Sequence, residues 1–130
     1  MAAWLMRVVL CFLCLVTTMN GQTVTSSPFY CNLSTLTKAE RDRKEAIGGL
    51  LAARRLAVHE LPTGYEFVFS GDRSTLQLVS EWVDTERLCC PFFEFDLHLD
   101  REGGQVALRL TGRDGTKEFI RADFARWMRQ

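Results

Sequence analysis

The stretch YEFVFSGDRSTLQLVSEWVDTERLCCPFFEFDL, residues 65–97, changes its hydrophobic period twice. Over Tyr65, Phe67 and Phe69 every second residue is aromatic, the pattern of a strand with one buried face. After Gly71 and Asp72 the spacing turns helical: Leu76, Val79, Trp82, Val83 and one of the two cysteines share a stripe. Ser74 and Gln77 have the spacing of a capping box that would open this helix. Pro91 ends it near Cys89, because the residue before a proline is pushed out of helical geometry. Alternation then resumes, with Phe93, Phe95, Leu97 and Leu99 set between Glu94, Asp96, His98 and Asp100. The stretch therefore predicts strand, helix, strand.

The flanks extend the pattern on both sides. Thr37 and Glu40 form a capping box for a charged helix running to about Arg54, with apolar positions at Ala39, Ile47, Leu50 and Leu51. Gly48 and Gly49 weaken that helix locally. RLAVHEL (55–61) and YEFVFS (65–70) flank the turn signal Pro62-Thr63-Gly64 and predict a hairpin. QVALRLT (105–111) pairs with the strand after Pro91, putting Val106, Leu108 and Leu110 on the matching face. GRDG (112–115) is a turn, and TKEFIRADFARWMR (116–129) is an amphipathic helix with Phe119, Ile120, Phe124 and Trp127 inward. The expected fold class is α+β: helix, hairpin, helix, hairpin, helix, with a four-stranded, mostly antiparallel sheet and helices packed on one face.

The 130 residues, 47% hydrophobic and 25% charged, suit one globular core and carry no disorder signature. Residues 37–130 read as that single domain, preceded by a polar, turn-rich tail over 22–36 that includes the sequon Asn32-Leu33-Ser34. Sixteen basic residues balance sixteen acidic ones, so nucleic acid is not an expected partner. Residues 1–21 begin with a single charge, Arg7, and the apolar run Val8 to Val16, which resembles a signal-peptide core and is short for a membrane span. Three readings stay open: a cleaved export signal, an uncleaved anchor, or a start at Met19 instead. The protein is exported or membrane-anchored if residues 1–19 belong to it, and cytoplasmic if translation starts at Met19. Membrane contact is expected only through that segment, and a homodimer stays open.

Of the five cysteines, Cys11 and Cys14 lie in the apolar run, leaving Cys31, Cys89 and Cys90. In an exported domain an odd number leaves at least one thiol free or bonded to another chain; in a cytosolic one all three are reduced. A Cys89–Cys90 disulfide is disfavoured, since neighbouring alpha carbons lie about 3.8 Å apart, below the usual range of about 4.4–6.8 Å for bridged cysteines. Adjacent residues on a regular element point in different directions, so the pair is not simply core. The plainest reading has one thiol packed inside and the other incidental. A metal reading competes with it: Glu86 lies three residues before Cys89 and four before Cys90, on the same side of the last helical turn. Thiolates favour soft ions such as zinc, copper(I) or mercury. Cys31, on a tail able to fold over the helix end, would be a third thiolate, with Glu86 as ligand or acceptor and His98 as an alternative nitrogen donor.

A nucleophilic or redox role is less well supported, because a helix C-terminus disfavours a thiolate, although Arg87 would partly offset this. There is no Cys-x-x-Cys, and neither His59 nor His98 sits in a base-and-orienter arrangement. No catalytic residue is assigned, and a non-enzymatic metal-binding domain leads. A thiol-dependent redox or metal-detoxifying protein is the alternative, and a partner-binding module exposing Trp82 or the aromatic strand face the third. The glycines of TGRDGTK (111–117) precede a helix, where an anion can bind, but a plain hairpin-to-helix turn explains them better and they lack the phosphate-loop pattern.

Four segments, CNL..LT..ER.R from Cys31, ELPTGYEF, EWVDTERLCCPFFEFDL and LRLTGRDGTKEFIRADF, together resemble a group of small, largely uncharacterised bacterial proteins. Their signature is Glu-x-x-Cys-Cys-Pro-Phe followed by alternating strand residues, and the likeness covers roughly Tyr30 to Phe124. Related segments are associated with mercury-responsive regulators and metal-resistance genes, so the resemblance implies soft-metal handling. The matching positions are Cys31, Glu86, Cys89, Cys90, Pro91 and Phe92. Many such proteins lack a strong export segment, which favours the start at Met19.

Overall fold

The computed structural model describes residues 28–129. The readings of residues 1–27, Cys11 and Cys14 included, lie outside the described residues. The order is helix α1 (Lys38–Arg54), strands β1 (Ala57–Leu61) and β2 (Gly64–Ser70), helix α2 (Arg73–Cys89), strands β3 (Glu94–Leu99) and β4 (Gln105–Thr111), then helices α3 (Thr116–Asp123) and α4 (Ala125–Met128). The four strands form one antiparallel sheet in the order β1-β2-β4-β3. Among the described residues no helix is long and apolar enough to cross a membrane.

Local chemistry explains the starts and stops. Thr37 and Glu40 make the reciprocal capping box at α1, each side chain taking a backbone amide that the first turn leaves free. At α2 the cap is two residues earlier than Ser74 and Gln77 suggested. Asp72 is the N-cap, its carboxylate accepting from the Thr75 amide at 2.9 Å and from the Ser70, Ser74 and Thr75 hydroxyls. Those donors hold the Asp72 carboxyl well below its usual range. An ionised carboxylate satisfies more orphan donors than a serine hydroxyl can, so Asp72 wins the position.

One sheet face is buried and the other is charged. Tyr65, Phe67 and Phe69 of β2 and Val106, Leu108 and Leu110 of β4 are all buried beneath the helices. On the opposite face the register sets His59, Glu66, Arg109 and Asp96 in one row across all four strands. They join in a continuous polar chain: a hydrogen bond between His59 and Glu66 at 2.9 Å, then ion pairs of Glu66 with Arg109 at 2.7 Å and of Arg109 with Asp96 at 2.9 Å. Leu97 and Leu99 share the apolar alternation of β3 yet stay exposed, 36% and 52%. β3 is an edge strand, and the helical cover does not reach its far end.

Trp127 ties the layers together. Its ring packs on Trp82 of α2 at 4.7 Å and meets the edges of Phe67 and Phe69 at 5.2 and 5.9 Å. Its Nε1 donates to the Gly48 carbonyl at 3.1 Å. Far from interrupting α1, Gly48 lets the C-terminal helices close in: a Cβ there would lie 3.3 Å from Arg126 and 3.6 Å from Trp82. The predicted closing helix is divided at Phe124, whose φ of −106° and ψ of 31° separate α3 from α4.

Leu97 and Leu108 face each other across β3 and β4, but Leu108 is fully buried. Leu108→Ala should cost about 2–5 kcal/mol and Leu97→Ala less than about 1, read as shifts in urea midpoint at constant m-value. Equal losses would mean that the helices cover the whole of β3.

Candidate metal centre

The site grows from the inward stripe of α2. Thr75, Val79, Trp82, Glu86 and Cys89 recur at steps of four and three, and all five are buried. Glu86 thus occupies a core position, fully screened from solvent. Its counter-charge comes from α1, where the Lys44 ammonium lies 2.8 Å from Oε2. Burial pushes the Glu86 carboxyl above its ordinary value, against the opposing pull of Lys44.

The helix ends between the two cysteines. Cys89 is its last residue, while Cys90, with φ −122° and ψ 64°, has already left helical geometry ahead of Pro91. Both are fully buried, contrary to the expectation that adjacent side chains must diverge, because that expectation holds only within a regular element. Their sulfurs lie 3.9 Å apart. The Cys89 thiol is 3.5 Å from the Glu86 carbonyl and 3.9 Å from Glu86 Oε2. Desolvation, with the Glu86 charge next, pushes this thiol up to about 11.

The N-terminal segment closes the site. Phe29 packs against Phe92 at 5.1 Å and Phe119 at 6.3 Å, Leu36 is buried, and the Asn32 amide donates to the Cys89 carbonyl at 2.8 Å. Cys31 is thereby set against the helix end and is joined to Cys90 by a disulfide. Its sulfur also lies 3.8 Å from Glu86 Oε1. Cys89 is the free cysteine among the described residues.

Cys31, Glu86, Cys89 and Cys90 therefore converge, with one donor atom from each inside a 4.8 Å cluster. The covalent pairing of Cys31 with Cys90 went unread in the sequence. In this state one thiol, not three, is available, because the disulfide takes up the other two. His98 stays apart: it is exposed on β3, 3.2 Å from Asp100, and outside the cluster. Arg87 is exposed and lines a groove with Val83, Pro91, Phe93 and Phe95. Lys44 was missed altogether, since nothing local to the charged α1 marks which of its cations turns inward. No family model, curated protein or solved structure matches the chain.

A carboxyl raised by burial favours the fold when protonated, so its contribution is full below the unfolded value and is lost as pH rises through the folded one. As pH rises from about 4 to neutrality the native chain should lose stability relative to Glu86→Gln, measured by denaturant titration. A flat difference across that range would show that Lys44 fully offsets the burial of Glu86.

Proposed function

We propose that the reduced, three-thiol form of this protein binds a soft metal or metalloid ion through Cys31, Cys89 and Cys90, with Glu86 as fourth donor or as acceptor beside it. The observation that carries this reading is the convergence of the four donors within 4.8 Å. In a tetrahedral site with metal–sulfur bonds of about 2.3 Å, two sulfurs lie roughly 3.8 Å apart. The Cys89 and Cys90 sulfurs are already 3.9 Å apart. Three sulfurs and one carboxylate suit zinc, copper(I) or mercury(II), and three sulfurs alone suit arsenite. The high value of the Cys89 thiol is no obstacle, because a coordinated thiol is deprotonated by the ion itself and the proton is released. The same value counts against an enzyme that needs an acidic, solvent-reachable thiolate at Cys89. Trp82, Tyr65, Phe67 and Phe93 are buried and Phe95 half-buried, which removes the main support for an aromatic docking face. The resemblance to Glu-x-x-Cys-Cys-Pro-Phe proteins, whose related segments are associated with mercury-responsive regulators and metal-resistance genes, points to the same class of ion.

The test is a titration of reduced, metal-free protein carrying Cys11→Ser and Cys14→Ser, followed by thiolate-to-metal charge-transfer absorption. Saturation is expected at one ion per chain, and Cys89→Ser with Cys90→Ser should abolish it. The disulfide form, left with Cys89 and Glu86, should not saturate. Undiminished binding in the double variant would remove the site.

A further inference from the structure

The disulfide presents its two sulfurs very unequally. A cleft of about 210 Å³ is walled by Cys31, Glu86, Lys44, Trp82, Phe124 and Trp127, with Glu45, Asp123 and Arg126 among its other residues. Cys31 is half-buried and stands on this wall. Cys90, its bonded partner, is fully buried and does not line the cleft, and neither does Cys89. A nucleophile reaching the disulfide through the cleft therefore meets the sulfur of Cys31. The volume admits a molecule the size of an amino acid or a very short peptide and excludes a folded protein. Lys44 pairs with Glu86 at 2.8 Å and Arg126 with Glu45 at 2.9 Å, so with Asp123 the cleft presents charges of both signs, against which a zwitterion can lie.

From this we infer that the cleft is a docking site for a low-molecular-weight thiol bearing carboxylate and ammonium groups, which exchanges with the disulfide at Cys31. The thiolate attacks Cys31 Sγ along the disulfide axis. A bond forms between the incoming sulfur and Cys31, the Cys31–Cys90 bond breaks, and its electron pair leaves with Cys90 Sγ. Cys90 then takes up the proton lost by the incoming thiol. A second thiolate attacks the sulfur of the small molecule in this mixed disulfide, releasing the small-molecule disulfide and Cys31 as a thiolate. The balance is one protein disulfide and two small thiols converted into two protein thiols and one small disulfide. S-thiolated Cys31 is the intermediate, so this cysteine is both the point of reduction and a modification site. The inference goes beyond metal binding: it stands on the disulfide and the cleft, whatever ion the reduced cluster takes.

The experiment uses the full chain carrying Cys11→Ser and Cys14→Ser, since both residues share the tryptic peptide of Cys31; its disulfide form is treated briefly with cysteine, acid-quenched, unfolded, alkylated and digested with trypsin. Cleavage after Arg87 and Lys38 puts Cys31 and the Cys89–Cys90 pair on different peptides. Mixed disulfide should accumulate on the Cys31 peptide in about tenfold excess, as expected where access decides which sulfur is attacked. Leu33 also lines the cleft and is 47% exposed, so Leu33→Trp can narrow the entrance without touching the core. That variant should react several-fold more slowly with cysteine while keeping the same urea midpoint. Adduct on the Cys89–Cys90 peptide, or reduction only by a protein dithiol, would overturn the inference. An unchanged rate in Leu33→Trp would overturn the cleft as the route. None of these outcomes depends on metal, whereas the titration of reduced protein leaves the disulfide out, so the two readings fail separately.

Discussion

The packing of the α2 stripe against the aromatic face of the sheet governs both the core and the site. Trp82 sits mid-stripe against Trp127, which in turn contacts Phe67 and Phe69 and donates to the Gly48 carbonyl. Aromatic burial on this scale is the largest favourable contribution available to a domain of this size. Once it has seated α2, the next two inward positions, Glu86 and Cys89, are carried into the interior with it. The helix places a carboxylate and a thiol where neither would go alone.

Burying that carboxylate has consequences at three points. It requires a cation, and α1 supplies Lys44 at 2.8 Å. It raises the neighbouring Cys89 thiol, adding to the effect of desolvation. It also leaves two oxygens beside two sulfurs, Oε1 by Cys31 and Oε2 by Cys89. An ion entering the reduced cluster would relieve all three, by neutralising the carboxylate, deprotonating the thiols and filling their donor capacity. The oxidised cluster solves the same problem differently, joining two of its sulfurs covalently and keeping the third protonated.

The N-terminal segment is short of secondary structure yet decides the state of the site. Phe29, Cys31, Asn32 and Leu36 each hold it to the body of the domain through a different interaction: ring packing, a disulfide, a backbone hydrogen bond and burial. Cys31 stands on the wall of a cleft that Cys90 does not line. On the far sheet face His59, Glu66, Arg109 and Asp96 satisfy one another.

Much of the fold was legible in the residues alone. The switch of period around α2, the Thr37–Glu40 cap and the alternation of β2 and β4 are local patterns, and local sterics and hydrogen bonding enforce them. The spacing of Glu86 and Cys89 on the stripe of Val79 and Trp82 likewise placed the carboxylate beside the thiol. What depended on residues distant in sequence was not legible. Leu97 and Leu99 stayed exposed because the cover stops short of the sheet edge, whereas Asp72 displaced Ser74 as cap through a local competition, gathering hydroxyls within three residues on both sides. The Cys31–Cys90 bond, which spans 59 positions, the choice of Lys44 from a charged helix and the cleft that singles out Cys31 all arise where segments distant in sequence meet. Periodicity fixes which face of an element turns inward. Only the assembled tertiary structure decides what it finds there.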